Sequence, residues 1–272
     1  MNEISLGIIA ALTAAVIFLL FRLKTEREEN RRRLAELERR LQQEYSVQVT
    51  DRQTRLSALQ SQINPHFLYN TLECIRSEAL LYDCDSIARM AKALASFFRY
   101  SISKKENVVT LREELANIEN YFLIQSYRFD DKFSLEILPE EDKRDVYSCL
   151  IPKLTLQPIV ENAIFHGLET QAEDGKVVIR IRTTEDKMVI VISDNGVGIE
   201  RAELERMRER LKHPELQREQ KEGKGNGIAL TNVSQRIKLI FGNDYGLNLY
   251  STRGVGTDVE LVFPLITDRS ML

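Results

Sequence analysis

A chain of 272 residues with 29% charged and 43% hydrophobic side chains has an ordinary globular balance and is long enough for one or two domains. That balance excludes a wholly disordered or collagen-like polymer. The net charge of -3, from 38 basic and 41 acidic residues, supplies no global positive field, so no direct nucleic-acid partner is expected. Cys74, Cys84 and Cys149 are widely spaced and odd in number. They form no CxxC metal site or disulfide framework and read as inert small apolar residues in a reducing compartment.

The first predicted element is a membrane anchor. Ile4 to Phe21 runs ISLGIIAALTAAVIFLLF, 18 residues without a charge, which spans roughly 27 Å as a helix, close to a hydrocarbon core. A cleaved signal peptide is the rival reading, but MNE lacks a basic residue and no Ala-x-Ala site follows. Arg22, Lys24, Arg27, Arg31, Arg32 and Arg33 all follow the apolar run, so the positive-inside rule puts the N-terminus outside and the rest in the cytoplasm. An outer segment of about three residues is too short to fold as a sensor. A stimulus is then expected through the membrane helix, from a separate membrane partner or from the cytoplasm.

Residues 22–62 are rich in Glu, Arg and Gln, with Leu34, Leu37 and Leu41 and then Leu56, Leu59 and Ile63 stepping by three and four. That is the seam of a parallel dimeric coiled coil, with a stutter near Tyr45 and Val49. Residues 66–82 and 86–103 carry helical periodicity on either side of Asp83-Cys84-Asp85 and predict a hairpin, two of which would make a four-helix bundle. Thr110-Leu111-Arg112-Glu113 has the form of a capping box opening a helix to about Arg128. The expected segments are thus an anchor at 4–21, a coiled coil at 22–62 and dimerising helices at 63–129, followed by an α+β domain at 130–266. In the last, alternating runs at 133–138, 177–182, 188–193, 247–251 and 259–263 interleave with helical patterns near 154–167, 200–212 and 228–241. They predict a mixed sheet with helices on one face. The charged stretch 211–225 has no apolar period and reads as a mobile loop.

Three glycine-bearing loops punctuate that domain: Asp194-Asn195-Gly196-Val197-Gly198, Gly223-Lys224-Gly225-Asn226-Gly227 and Gly254-Val255-Gly256-Thr257. Glycines let backbone amides approach phosphates, and the second loop opens a helix whose N-terminus favours anions. Neither a GxGxxG after a first strand nor a GK[ST] loop occurs. Upstream, LQPIVENAIFHG places Asn162 and His166 a helical turn apart on one face, and an amide oxygen can ligate Mg2+ already held by phosphates. In this order the four blocks resemble the N, G1, G2 and G3 boxes of the GHKL (Bergerat-type) ATP-binding fold over residues 130–266. The resemblance implies that Asn162 binds Mg2+, that Asp194 accepts from the adenine amino group, and that Gly196 and Gly198 shape the adenine pocket. It also implies that Gly223, Gly225, Gly227 and Thr257 lie near the phosphates. His166 either contacts phosphate or is a helix C-terminal histidine interacting with the dipole. GHKL members that hydrolyse ATP carry a glutamate four residues before the metal asparagine; here that residue is Pro158, and Glu161 lies roughly 100° around the helix from Asn162. Transfer to water should be slow, which favours another phosphoryl acceptor.

That acceptor is expected at His66. On a helix, Leu68, Leu72, Ile75 and Ala79 share one side and His66, Asn70, Glu73 and Ser77 the other, exposed side. A neutral imidazole is a competent nucleophile near pH 7. The string NPHFLYN, followed by IPKLTLQPIVENAIFHG, closely resembles the LytS/YesM-type sensor histidine kinases over residues 56–266. The resemblance implies autophosphorylation of His66 from ATP and transfer to an aspartate of a response regulator of LytTR or AraC type. It also implies a homodimer in a bacterial cytoplasmic membrane. Commoner kinases have an acidic residue directly after the histidine, whereas Phe67 stands here; Glu73, about two turns along the same face, is a candidate proton acceptor. Asn70 matches the position where related kinases carry Thr or Asn to orient water for regulator dephosphorylation. Two alternatives accompany this reading, a phosphatase-dominant regulator of the same pathway and a non-catalytic GHKL membrane scaffold.

Overall fold

The computed structural model describes residues 65–103, 106–130, 132–139, 145–168, 174–213 and 228–271, which fall in a single compact unit. The expected anchor at 4–21 and coiled coil at 22–62 lie outside the described residues, as does most of the charged loop. Among the described residues no helix is long and apolar enough to cross a membrane.

The unit begins with the expected hairpin. Helix α1 (Pro65–Leu81) opens on a proline, whose missing N–H is no loss in a first turn. Asp83, at φ 50°, then turns the chain into α2 (Asp85–Ile102). Asp85 stands in the first turn of α2 and Arg99 in the last, each complementing the helix dipole. Ala88, Ala91 and Ala95 are buried on α2 and Leu72 and Ala79 on α1, so the two helices meet through small side chains. His66, Asn70, Glu73 and Ser77 are exposed as their spacing predicts. Ile75 departs from the pattern at 45% exposure, and Phe67, Leu81, Tyr82 and Ile87 are also uncovered in this single chain. Cys74 likewise lies exposed on α1, whereas Cys149 is buried; the three cysteines are free thiols.

A three-residue strand, β1 (Val108–Thr110), leads into α3 (Leu111–Arg128). The capping box forms as expected: Thr110 Oγ1 accepts the Glu113 N–H at 3.3 Å and Glu113 Oε2 accepts the Thr110 N–H at 2.8 Å. Although its sequence position groups α3 with the preceding helical hairpin, its buried Leu111, Leu115, Ile118 and Tyr121 join the same core as the sheet that follows. β1 pairs antiparallel with β3 (Leu150–Pro152), so this small sheet ties the start of α3 to the approach to the next helix.

The main sheet has the order β2-β4-β5-β7-β6, from β2 (Phe133–Pro139), β4 (Gly175–Thr183), β5 (Lys187–Asp194), β6 (Gly246–Thr252) and β7 (Gly256–Pro264). β2 runs parallel to β4, and the other neighbours are antiparallel. Period-two alternation sends Val177, Ile179 and Ile181, Met188, Ile190 and Ile192, and Val259, Leu261 and Phe263 to one face, where all are buried. The opposite face carries Arg180, Arg182, Asp258 and Glu260, with Arg182 and Glu260 paired at 3.1 Å. The buried face is covered by α4 (Gln157–Asn162), α5 (Arg201–Lys212) and α6 (Ile228–Phe241), through Ile159 and Val160, Leu204, Met207 and Leu211, and Leu230, Val233 and Ile237. The helix predicted over 154–167 is shorter and compound: α4 gives way at Ala163–Leu168 to a π-wound stretch.

Candidate functional site

The loop that launches α4 is built around a buried carboxylate. Glu114 of α3 is 0% exposed. Its Oε2 accepts the N–H groups of Thr155 and Leu156 at 3.0 Å each, and its Oε1 accepts the Leu154 N–H and the Tyr100 hydroxyl. Burial pushes this carboxyl above its ordinary range against the pull of those four donors. Arg236 of α6 binds the other side of the loop, donating to the Lys153 carbonyl at 2.6 Å. The helix bearing Asn162 and the helix following the charged loop are therefore referenced to one anchor.

A cavity of about 630 Å³ lies between α4, its π-wound continuation, α5 and the sheet. Asn162, His166, Asp194, Gly198 and Thr257 all line it. Sequence reasoning thus finds five residues, from four separate elements, that the fold brings to one space. Gly196 is buried just behind this wall, packed on the Gly167 backbone, and Val197 N–H donates to the Gly167 carbonyl at 3.0 Å. Gly223, Gly225 and Gly227 lie outside the described residues.

Asp194 ends β5. Its Oδ1 accepts the Gly196 N–H at 2.9 Å, and the Thr257 N–H across the β5–β7 ladder also supports the carboxylate. Burial nevertheless dominates and, with Asp258 nearby, pushes its pKa up to about 6. Gly167 permits this arrangement, because a Cβ there would stand 2.8 Å from Asp194 Oδ1. Gly198 adopts φ +66°, and the Thr252 carbonyl occupies the space a side chain would need. Thr257 faces Asp194 directly in register, which places it beside the carboxylate.

Asn162 is the last residue of α4, where the winding widens. Its side-chain Nδ2 is buried with no hydrogen-bond partner among the described residues, although the side chain borders an open cavity. A buried N–H donor in that condition calls for a partner from the cavity side. His166 is exposed at the cavity wall. Glu161 points elsewhere: it accepts from Gln157 at 2.8 Å, and Gln157 accepts from Asn117 at 3.0 Å. Pro158 occupies the position one turn before Asn162 and supplies no base.

Several contributors escaped the sequence reading. Asn195 clamps its loop to the start of β4, accepting the Lys176 N–H at 2.7 Å and donating to the Asp174 carbonyl at 2.9 Å. Ser251 Oγ accepts the Ile199 N–H at 2.8 Å and donates to the Gly256 carbonyl at 2.8 Å, joining two glycine loops. Arg206 and Arg210, four apart on α5, line the cavity wall together with Glu200 and Glu203, and Arg206 is paired with Glu203 at 2.7 Å. Only their i, i+4 spacing after the first glycine loop hinted at them.

Outside this cavity, His66 and Asn70 meet on α1, the carboxamide nitrogen lying 3.2 Å from His66 Nδ1. Glu73 is bound by Arg76, whose Nε donates to it at 2.9 Å. That hydrogen bond holds its carboxyl below the usual range, which makes it a weaker proton acceptor than its helical position suggests.

The one-sided mixed sheet and its cavity define an ATPase-type domain. Residues 152–267 match the family model described as histidine kinase-, DNA gyrase B- and HSP90-like ATPase, and residues 54–133 match the histidine kinase model. Over 226 residues the chain is 37% identical to the sensor histidine kinase YesM of Bacillus subtilis, covering 82% of this chain and 36% of that protein. The sensor protein LytS of Oceanobacillus iheyensis is 36% identical over 214 residues, 78% of this chain and 35% of that one. The sensor histidine kinase YpdA of Escherichia coli is 35% identical over 210 residues, 77% and 34% of the two chains. The chain belongs to the sensor histidine kinases of the YesM and LytS type. It spans about a third of the length of these curated relatives.

Proposed function

We propose that this chain is a homodimeric, membrane-anchored sensor histidine kinase that phosphorylates His66 from ATP and passes the phosphoryl group to an aspartate of a response regulator. The observation that carries the reading is the cavity in which Asp194 and the unpartnered Asn162 amide converge without a carboxylate one turn before Asn162. Such a site can bind and orient a nucleotide while lacking the group that would activate water. Asp194, ionised above about pH 6, accepts from the adenine amino group. Arg210 and the Glu203-paired Arg206 supply guanidinium groups for the triphosphate, with His166 as a further hydrogen-bonding group on the same wall. The donor chemistry fits a hard cation: an Mg2+ held by the phosphates and the Asn162 side-chain oxygen would draw charge off the transferred group.

The apolar side chains left open on the hairpin, among them Phe67, Ile75 and Leu81, support a dimer that buries them in a four-helix bundle. The contact between Asn70 and His66 also favours the second reading, a chain that acts chiefly in dephosphorylating its regulator.

Incubation with γ-labelled ATP and Mg2+ is expected to label wild-type protein with acid-labile, base-stable phosphate and to leave His66→Gln unlabelled. A wild type that binds nucleotide yet takes up no label, with its anchor in membranes, would hand the assignment to the scaffold or phosphatase reading. The same His66→Gln protein tests the role of Pro158. With the acceptor gone, ATP turnover should fall to background, and brisk hydrolysis to free phosphate would show that another group activates water.

A further inference from the structure

The stretch from Lys153 to Leu156, which launches α4, is held from two sides by opposite charges. Its amides fall to the Glu114 carboxylate of α3, which takes the N–H groups of Leu154, Thr155 and Leu156. Its carbonyls fall to Arg236 of α6, whose Nη1 donates to the Lys153 carbonyl at 2.6 Å and to the Leu154 carbonyl at 3.5 Å. Leu154, between the two, holds φ 59°, a conformation that leucine keeps only where its surroundings impose it.

Both helices that Arg236 joins reach the nucleotide cavity. α4 is six residues long and brings Ile159 and Asn162 to it, and α6 brings Leu230 from its first turn. Asn162 stands about 9 Å along the helix from Leu156, so a displacement where α4 starts is carried to the amide with little chain to absorb it. Ile159 and Val160 of α4 share a core with Leu230, Val233 and Ile237 of α6, but apolar attraction has no direction and tolerates a slide of one helix past the other. The Arg236 hydrogen bonds have direction.

We propose that Arg236 is a positioning residue for Asn162: by binding the carbonyls of the launching loop it fixes α4 against α6 and sets the Asn162 side chain where it can meet a phosphate-bound Mg2+. This rests on the nucleotide reading above and adds to it a residue that does not itself line the cavity. Asp194 answers to a different frame, the Gly196 N–H and the β5–β7 register. Loss of Arg236 therefore weakens the metal end of the site and spares the adenine end.

Calorimetric titration of ADP into the full chain in detergent micelles, once with EDTA and once with excess Mg2+, separates the two ends. The Kd in EDTA reads the metal-free contacts, and the ratio of the two Kd values reads the benefit of the metal; ADP also leaves no γ-phosphoryl group to transfer. Arg236→Gln, uncharged and too short to reach both carbonyls, should hold the EDTA Kd within about two-fold and cut the Mg2+ benefit about five-fold, the scale of one hydrogen bond. Arg236→Lys, a long cation with N–H donors, should restore most of that benefit. In an Asn162→Ala background Arg236→Gln should cause no further loss, the non-additivity of two residues that act through one contact. A merely structural role would weaken ADP equally with and without Mg2+. That result, a glutamine variant with the full Mg2+ benefit or without a cooperative melting transition, or additive losses in the double variant, overturns the proposal. A wild type that binds no ADP, or gains nothing from Mg2+, overturns the nucleotide reading and the proposal with it, and that failure shows in the wild-type titrations alone.

Discussion

Asp194→Asn is expected to weaken ATP binding on the order of a hundredfold or more and, at pH 7.5, to raise the melting temperature of the nucleotide-free protein. Both effects follow from the hydrogen-bond inventory. The carboxylate offers two oxygens; Oδ1 is committed to the Gly196 N–H at 2.9 Å, and the Thr257 N–H also requires an acceptor. Asparagine has a single oxygen. If that oxygen keeps Gly196, the amide N–H groups face Thr257 and the adenine amino group, donor against donor. The stability gain comes from the same burial that raises the pKa from 3.8 to about 6. A carboxyl whose folded pKa exceeds its unfolded one favours the fold while protonated, and that contribution is lost as pH rises from about 4 through 6. Ionisation of Asp194 therefore costs about 3 kcal/mol of nucleotide-free stability at neutral pH; the neutral amide escapes that cost and loses only about 1 kcal/mol for the Thr257 N–H left without an acceptor. Differential scanning at pH 7.5 and pH 4, with titration of ATP into both proteins, checks the pair of effects. A variant more stable at pH 7.5 but not at pH 4 fits the argument, and one that still binds ATP normally refutes Asp194 as the adenine acceptor. Wild-type affinity should itself fall as pH drops below about 6, where Asp194 protonates.

The strands were legible because one face of the sheet is buried and the other wet. Val177, Ile179 and Ile181 alternate with Arg180 and Arg182, and hydrophobic period alone locates β4. The helix at Leu111 was legible for a local reason, since Thr110 and Glu113 satisfy each other's backbone within four residues. What stayed hidden depended on contacts remote in sequence. β1 and β3, three residues each, are too short to show a period and exist because they pair with each other. The π-winding after Asn162 has no signature in AIFHGL. Thr257 stands in a glycine-bearing stretch of the sequence, and only the strand register puts it opposite Asp194. Glu113 and Glu114 are the same residue type in the same first turn, and one caps the helix at the surface while the other is fully buried. The difference lies in the unpaired N–H groups of a loop 40 residues downstream, which helical periodicity does not report.

For that reason Glu114→Ala is expected to be the most damaging single change outside the cavity. It strips the acceptor from the N–H groups of Leu154, Thr155 and Leu156 and from the Tyr100 hydroxyl in one step. Each buried donor left unpaired costs about 1–3 kcal/mol, so a loss above roughly 4 kcal/mol is expected, a large part of ordinary domain stability. Leu154 compounds it: this residue sits at φ +59°, a strained conformation for a non-glycine, and the bonds to Glu114 on its own and the following amides help hold it there. Glu114→Gln should rescue little, because its one oxygen can serve one side of the donor set while its N–H groups oppose the other. Tyr100→Phe removes a single bond and should cost about 1 kcal/mol. Urea unfolding of the three variants orders them. Alanine close to wild type would mean that the loop finds other acceptors and that Glu114 is dispensable. The expected order, with alanine and glutamine far below phenylalanine, would show that the loop launching α4, and with it Asn162, is held in place by one buried carboxylate that also bonds to the hairpin of His66 through Tyr100.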